Sequence, residues 1–494
     1  MSGPRDGGYQ GAGLAPVSNL AFAMGCAMLV FVSIIRGGNR QVALIVLEWL
    51  GLLVCVLLLA RWALRPTSAV TPSPGDNAAG KRRASFPVLF LALAPVWFAL
   101  LQLTPIPAGL WTALPGHSAY AAAVAAVGSE AMAFRSISLQ PDATVASLLA
   151  GIPVAAAFLL AWFATGQQVA TVVRLFIIVA LVQAMLALMQ ASEAFAWLQF
   201  GAEGKPKGTF GNSNHYANFL AMAIPLAWLK FRADPSRAAR RQDRMGAKTM
   251  WIVVVFVLMA GVVVSMSRTG IATALLVMFG AAALVGKKSA DKGQWQRYLL
   301  AVAAIAGLAL LLVAPDFWAT RIADRAGSDV GVRWQVYAST WDAAWQFFPF
   351  GSGLGSYGGV FARFKPATRD EYFEYAHNDY LQLLMEGGLL GVVLLAVLAW
   401  LLVRKCLELA RAARQDEDLP FDLLLRIALG LSLLALLLHS AVDFNTHIPA
   451  NAMVGAFIAG AFLRPAEARR RGIRRSSSTS LKSGSGEMLG QGDL

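Results

Sequence analysis

Ala376-His377-Asn378-Asp379-Tyr380-Leu381 marks the point where a polar stretch that begins at Asp316 runs directly into an apolar helix continuing through Gly391. The polar part gathers Arg321, Arg325, Arg333, Arg363, Lys365, Arg369 and His377 beside aromatic and glycine residues. Most of the remaining chain is a series of apolar runs, each near the ~20 residues that cross a bilayer as a helix. Inside hydrocarbon a segment has to satisfy its own backbone hydrogen bonds, so these runs are expected to be helices, and barrel-type alternation is missing. The expected fold is therefore an all-α polytopic membrane protein of about twelve transmembrane helices with one large outer loop, 316–375. The spans fall near 17–35, 41–60, 86–104, 143–164, 168–192, 213–231, 249–266, 268–286, 298–315, 376–403, 422–442 and 450–464. Only Arg268 lies near the join of the seventh and eighth, which suggests a tight turn or a re-entrant pair.

Composition agrees with this. Of 494 residues, 57% are hydrophobic and only 14% charged, too few charges for several soluble domains. The net charge of +14 is not read as a nucleic-acid signature. Its basic residues sit in short loops between apolar runs, the pattern of topology signals and anionic-lipid contact. With the N-terminus inside, Lys81-Arg82-Arg83, Arg237 to Arg244, Lys287-Lys288, Arg404-Lys405 and Arg469-Arg470-Arg471 all fall on the inner side. The loops 105–142, 193–212 and 443–449 carry few Lys or Arg and fall outside. The long loop 316–375 is outside yet rich in arginine, so those arginines call for a different explanation. Residues 1–16 and 465–494 read as unstructured inner ends flanking one membrane domain, 17–464, and 66–80 as a Pro/Ser/Thr/Gly-rich linker. Cys26, Cys55 and Cys406 lie in or beside apolar runs, which supports neither a disulfide framework nor a Cys-based zinc site. The first apolar run lacks a small-residue cleavage site and reads as a retained helix. The two halves show no inverted repeat of the kind many transporters have.

His377 opens a spanning helix, where the positive dipole end disfavours a cationic imidazole. A neutral imidazole there suits a general base, against the blander role of a helix cap. Arg268, between Ser265-Met266-Ser267 and Thr269-Gly270 at the outer end of two spans, either meets an anion or snorkels to headgroups. Arg174 and Arg426, near inner helix ends, read as snorkelling. Arg333 precedes Trp334, Trp341 and Trp345 at helical spacing, and its planar donors suit phosphate oxygens. Pro349-Phe350-Gly351-Ser352-Gly353-Leu354-Gly355-Ser356-Tyr357 lacks the ending of a nucleotide P-loop and reads as a flexible turn letting backbone approach a glycan or diphosphate. Glu371, Glu374, His377 and Asp379 cluster in sequence, but the absence of a second nearby histidine argues against a metal. His439, Asp443 and His447 have i, i+4, i+8 spacing, but the helix should end there, so a hydrogen-bonded structural role is expected. Glu386, inside a span before Gly387-Gly388, is read as bracing helix packing.

Taken in order, these residues resemble a known family. Arg333 with its Trp-containing helix, the Pro-x-Gly-x-Gly-x-Gly turn, His377-Asn378-x-x-Leu381 and Glu386-Gly387-Gly388-Leu389-Leu390-Gly391 are similar to the O-antigen ligase and polymerase (Wzy-type) superfamily. Upstream, Gly208-Thr209-Phe210-Gly211-Asn212-x-Asn214 looks like its glycine-asparagine motif and Ser265-x-Ser267-Arg268 like its membrane-edge arginine. The resemblance covers about residues 85–464. It implies a GT-C-like glycosyltransferase of the bacterial inner membrane with both termini cytoplasmic and its site periplasmic. Such an enzyme would move a glycan from undecaprenyl diphosphate to an acceptor hydroxyl on a lipid-linked glycan or lipid A core, with neither cofactor nor metal. It also implies that Arg268 and Arg333 hold the diphosphate and His377 acts on the acceptor hydroxyl. Asn212, Asn214, Asn378 and Glu386 would be glycan contacts or supporting residues, and a chain-length regulator a further partner. The run from His439 to Asn451 looks more like the polymerase members, with the lipid A core ligases as the alternative. A transporter for lipid-linked glycans or anions is the reading from another class; it would put ionisable groups at mid-membrane rather than on one face.

Overall fold

The chain's apolar runs satisfy their backbone internally, and helices account for most of the computed structural model. It describes residues 14–63, 87–126, 133–192, 195, 197, 204–232, 241–284, 328–366, 370–415 and 419–465. The chain divides into two units, Met1–Leu463 and Arg464–Leu494, and every element below belongs to the first. In order these are α1 (Leu14–Ile34), a 3-10 turn (Arg36–Gly38), α2 (Gln41–Ala63), α3 (Ala94–Gln102), β1 (Pro105–Pro107), α4 (Ala108–Ala113), α5 (Ser118–Ala126) and β2 (Phe134–Ser136). There follow α6 (Pro141–Phe163), α7 (Gly166–Gln190), α8 (Ser213–Arg232), α9 (Arg241–Val264), α10 (Arg268–Leu284), α11 (Ser328–Phe347) and α12 (Tyr357–Phe361). The last are α13 (Asp379–Gln415), α14 (Phe421–Ser440), a 3-10 turn (Asn445–His447) and α15 (Pro449–Leu463). The two short strands pair antiparallel, Ile106 opposite Arg135.

Among the described residues six helices are long and apolar enough to cross a membrane: 41–63, 141–163, 166–190, 245–264, 379–414 and 421–440. Three shorter apolar helices, 19–34, 268–284 and 449–463, accompany them. The expected span at 86–104 is interrupted at Leu93, before α3, and the one at 298–315 lies outside the described residues. Between α9 and α10 the chain makes the expected tight turn, with Met266 in a left-handed conformation at φ 57°.

The bundle is arranged around α8. From Ser213 to Phe231 nearly every side chain of α8 is buried, and α7, α9, α10 and α14 pack on it. Lipid offers no hydrophobic drive between helices, so close approach falls to small residues. Gly270 of α10 illustrates this, since a Cβ there would stand 2.4 Å from the Cβ of Ala217.

Helix α13 is broken once, at Gly388 (φ 55°, ψ −142°). The break frees backbone groups, and the glycine-rich turn before α12 takes them. Leu389 N donates to Pro349 O at 2.9 Å, Ser352 N to Met385 O at 3.0 Å and Gly353 N to Glu386 O at 3.0 Å. Gln102 adds a clamp from α3, donating through Nε2 to Glu386 O and accepting from Leu354 N, both at 2.8 Å. This corrects the expectation of a flexible, ligand-facing turn. The left-handed glycines are needed because Gly351, with any Cβ, would meet Glu386 O at 2.3 Å, and Gly353 would meet Ser138 Oγ at 2.1 Å.

A second correction concerns Arg426. It is 4% exposed rather than snorkelling, with Nε donating to Asp422 Oδ2 at 3.0 Å and Nη1 to Phe462 O. Arg174 is exposed and donates to Thr171 Oγ1.

Candidate functional site

His377 does not open α13 as expected. The helix starts two residues later, and Asn378 caps it, its Oδ1 accepting from Tyr380 N at 3.1 Å and Leu381 N at 3.0 Å. His377 stands just ahead of the cap at φ 53°, held there by Tyr337 of α11, whose hydroxyl donates to His377 O at 2.7 Å. It therefore lies outside the helix, beside its N-terminus. Its ring meets a carboxylate: His377 Nδ1 is 3.1 Å from Asp443 Oδ1.

Asp443 follows α14 and is fully buried. Its Oδ1 also accepts from Phe444 N at 3.0 Å, and its Oδ2 from Asn214 Nδ2 at 2.7 Å. A second imidazole, His215 on α8, brings Nε2 to 3.6 Å from Oδ1. Burial alone would raise the Asp443 carboxyl, but hydrogen bonding and charge from His215 and His377 outweigh it and hold it well below the usual carboxylate range. At 3.6 Å His215 is beyond hydrogen-bond reach, so the shorter His377 contact carries more of that effect. An ionised carboxylate can only accept, so Nδ1 of His377 donates to it, which in a neutral imidazole leaves the lone pair on Nε2. A third of the His377 side chain is exposed.

Arg333 arrives at the same place from α11. Its Nη1 donates to Val442 O at 2.9 Å, one residue before Asp443, leaving the rest of the guanidinium fork available. Phe444 forms an aromatic floor: it stacks on Tyr375 at 4.2 Å and lies edge-on to His377 at 4.9 Å and His215 at 4.5 Å. Asn212 caps α8 through Oδ1, which accepts from Asn214 N at 2.7 Å, and so turns Asn214 toward Asp443. Arg268 is exposed at the start of α10, without a hydrogen bond or ion pair among the described residues. Two residues on, Gly270 packs on Ala217, one turn along α8 from Asn214.

A second layer lies behind. Asp379 accepts from His447 Nδ1 at 2.8 Å and from Thr446 N at 3.0 Å. Gln382 Nε2 links His447 Nε2 at 3.1 Å to Glu386 Oε1 at 3.2 Å. Glu386 also accepts from Tyr357 N, so this buried carboxyl braces α13 against α12, as its sequence context suggested. His447 and Asp443 have the hydrogen-bonded roles expected of them. His439 departs from that expectation, being buried with neither ring nitrogen bonded. Among the described residues no three His, Cys, Asp or Glu side chains are grouped to hold a metal ion.

His377, Arg333 and Asn214, from three separate segments, thus converge on Val442 and Asp443. Asp443, His215, Tyr337 and Phe444 were not among the sequence candidates. The carboxylate's sequence signal was the local His439/Asp443/His447 spacing, whereas its partners Asn214 and His377 come from distant segments.

These elements define a multi-pass helical membrane protein whose polar centre is built between helix ends. Residues 253–396, under a third of the chain, match the family described as O-Antigen ligase, and this stretch is similar to the O-antigen ligase/polymerase superfamily. The match includes Arg268, Arg333, His377, Asn378 and Glu386, while Asn212, Asn214, His215 and Asp443 fall outside it. No curated protein matches the chain.

Proposed function

We propose that the protein is a glycosyltransferase of GT-C-like build, with about twelve spans, that moves a glycan from undecaprenyl diphosphate to an acceptor hydroxyl on the periplasmic side of the inner membrane. The observation that supports this most is the meeting of His377 and Arg333 at Val442–Asp443. His377 Nε2 takes the proton of the acceptor hydroxyl as its oxygen attacks the anomeric carbon. The new carbon–oxygen bond forms while the bond from that carbon to the diphosphate oxygen breaks. Undecaprenyl diphosphate leaves with the electron pair, and Arg333 and Arg268 neutralise the charge gathering on it. Asp443 keeps the imidazole in the required tautomer and is stabilised in turn by the imidazolium. Diphosphate is already a good leaving group, so the reaction as written uses no metal.

Polymerisation, joining one lipid-linked glycan to another, is the favoured form. Ligation to lipid A core is the second reading, supported by the description of the matched family. Purified protein incubated in EDTA with a lipid-diphosphate glycan, with and without lipid A core, separates the two. Lengthened lipid-linked chains mean polymerase, and glycan on the core means ligase. His377→Ala and Arg333→Ala are expected to abolish either product while the protein still inserts. Normal product from both variants would sink the proposal.

A further inference from the structure

Among the described residues only three that are not glycine have a left-handed backbone: His377 at φ 53°, Met266 at φ 57° and Arg36 at φ 50°. Side chains other than glycine, asparagine and aspartate seldom adopt this conformation, and where they do the surrounding structure imposes it. His377 is the candidate base, and Met266 forms the turn that delivers Arg268. Arg36, which neither the sequence candidates nor the matched stretch includes, lies in the turn between α1 and α2.

That turn is wedged between the two segments that carry the site. On one side are Phe210 and Gly211, immediately before Asn212. A Cβ on Gly37 would meet Phe210 Cδ1 at 2.9 Å, and one on Gly211 would stand 3.9 Å from Arg36 Nε. On the other side are Ile448 and Pro449, immediately after His447: a Cβ on Gly37 would meet Ile448 Cγ2 at 3.3 Å, and one on Gly38 would meet Pro449 Cβ at 2.8 Å. Gly37 and Gly38 are both buried, so the loop cannot drift. The guanidinium itself is half-buried over Gly211 and has no hydrogen bond, ion pair or ring contact among the described residues. A cation fixed by a strained backbone, partly removed from water and offered no protein anion, calls for an anion from outside.

We infer that Arg36 is a third arginine of the site and takes phosphate oxygens of the lipid-linked diphosphate. The inference rests on the proposed donor chemistry and adds a residue from the first loop to it. A phospholipid headgroup offers the same phosphate chemistry, so the test has to separate the two sources.

The probe is undecaprenyl diphosphate without glycan, titrated into full-length protein in zwitterionic nanodiscs and, separately, in nanodiscs containing phosphatidylglycerol. Arg36→Gly removes the guanidinium and suits φ 50°, so its melting temperature should equal or exceed that of the wild type. Its affinity for the probe in zwitterionic nanodiscs should fall by about tenfold or more, the scale of one charge-assisted contact, with Arg36→Lys recovering part of it. In the transfer assay, KM for the donor should rise more than kcat falls. Wild-type affinity retained by a folded Arg36→Gly protein overturns the role of Arg36 and leaves the donor reading intact. A loss confined to phosphatidylglycerol nanodiscs assigns Arg36 to headgroups and overturns it too. Failure of the folded wild type to bind the probe overturns the donor reading and this inference together.

Discussion

Asp443 sits at a junction no neighbouring residue could supply, accepting from His377, Asn214 and Phe444 N at once. Replacing it by asparagine nearly preserves volume but can turn an amide N–H toward His377 Nδ1. The imidazole hydrogen would then move to Nε2 and block the proton acceptor. Asp443→Asn is expected to cut glycan transfer by on the order of 10³–10⁴-fold. Donor affinity should stay within about threefold, a change of well under 1 kcal/mol. An equal loss in both would mean that Asp443 shapes the pocket and does not set the tautomer. The same carboxyl gives a pH signature. Its folded-state value is depressed, so its stabilisation is present above the ordinary carboxylate range and is lost as pH falls through the depressed value. Thermal melting in detergent should therefore drop more steeply on the acid side for the wild type than for Asp443→Asn. At this scale the sequence showed the chemical types and missed the pairing. His377 announced itself as a polar residue at the mouth of an apolar run, and Arg333 as a loop arginine ahead of three tryptophans. Asp443 is 66 residues from His377, and Val442 is 109 residues from Arg333, and no spacing rule within a helix reports contacts of that separation.

The turn at Pro349–Ser356 and the break in α13 form one element made of two segments. The glycines there were visible in the sequence, but their purpose was not, because a glycine that frees backbone for a ligand and one that admits backbone to a helix look alike. Gly353→Ala would put a methyl group 2.1 Å from Ser138 Oγ at φ 111°. It should cost about 2–4 kcal/mol, seen as a lower melting temperature and reduced yield in the membrane fraction. A melt unchanged within about 0.5 kcal/mol would show that the turn is not tightly held. Gln102→Leu should be milder, near 1–3 kcal/mol, since it leaves Glu386 O and Leu354 N without their shared partner.

Across the whole molecule, α13 sets the reach between the two ends of the bundle. Beyond the break at Gly388 its uninterrupted part, 389–415, is roughly 40 Å long at ~1.5 Å per residue, against a hydrocarbon core of ~30 Å. Cys406, exposed near its far end, and Tyr372, 70% exposed just before His377, should therefore lie on opposite sides of the membrane. In the proposed orientation a membrane-impermeant maleimide labels Cys406 only after the cytoplasmic face is opened. It should label a Tyr372→Cys variant (with Cys406 replaced by serine) in closed spheroplasts. The reverse pattern would invert the topology and put the candidate base on the wrong side for a periplasmic acceptor. Hydropathy and the distribution of lysine and arginine were enough to propose the helices and their direction, because both effects are local to each segment. The central position of α8 was not legible, since its His, Asn and Lys residues lower its apolar score while the other helices bury it. The same coupling bears on grafting. Because Leu389 N and the carbonyls of Met385 and Glu386 find partners in the outer turn, a loop transplanted from another protein would have to bring its own matching interruption of the following helix. Chimeras cut between the two are expected to be degraded rather than to acquire a new acceptor preference.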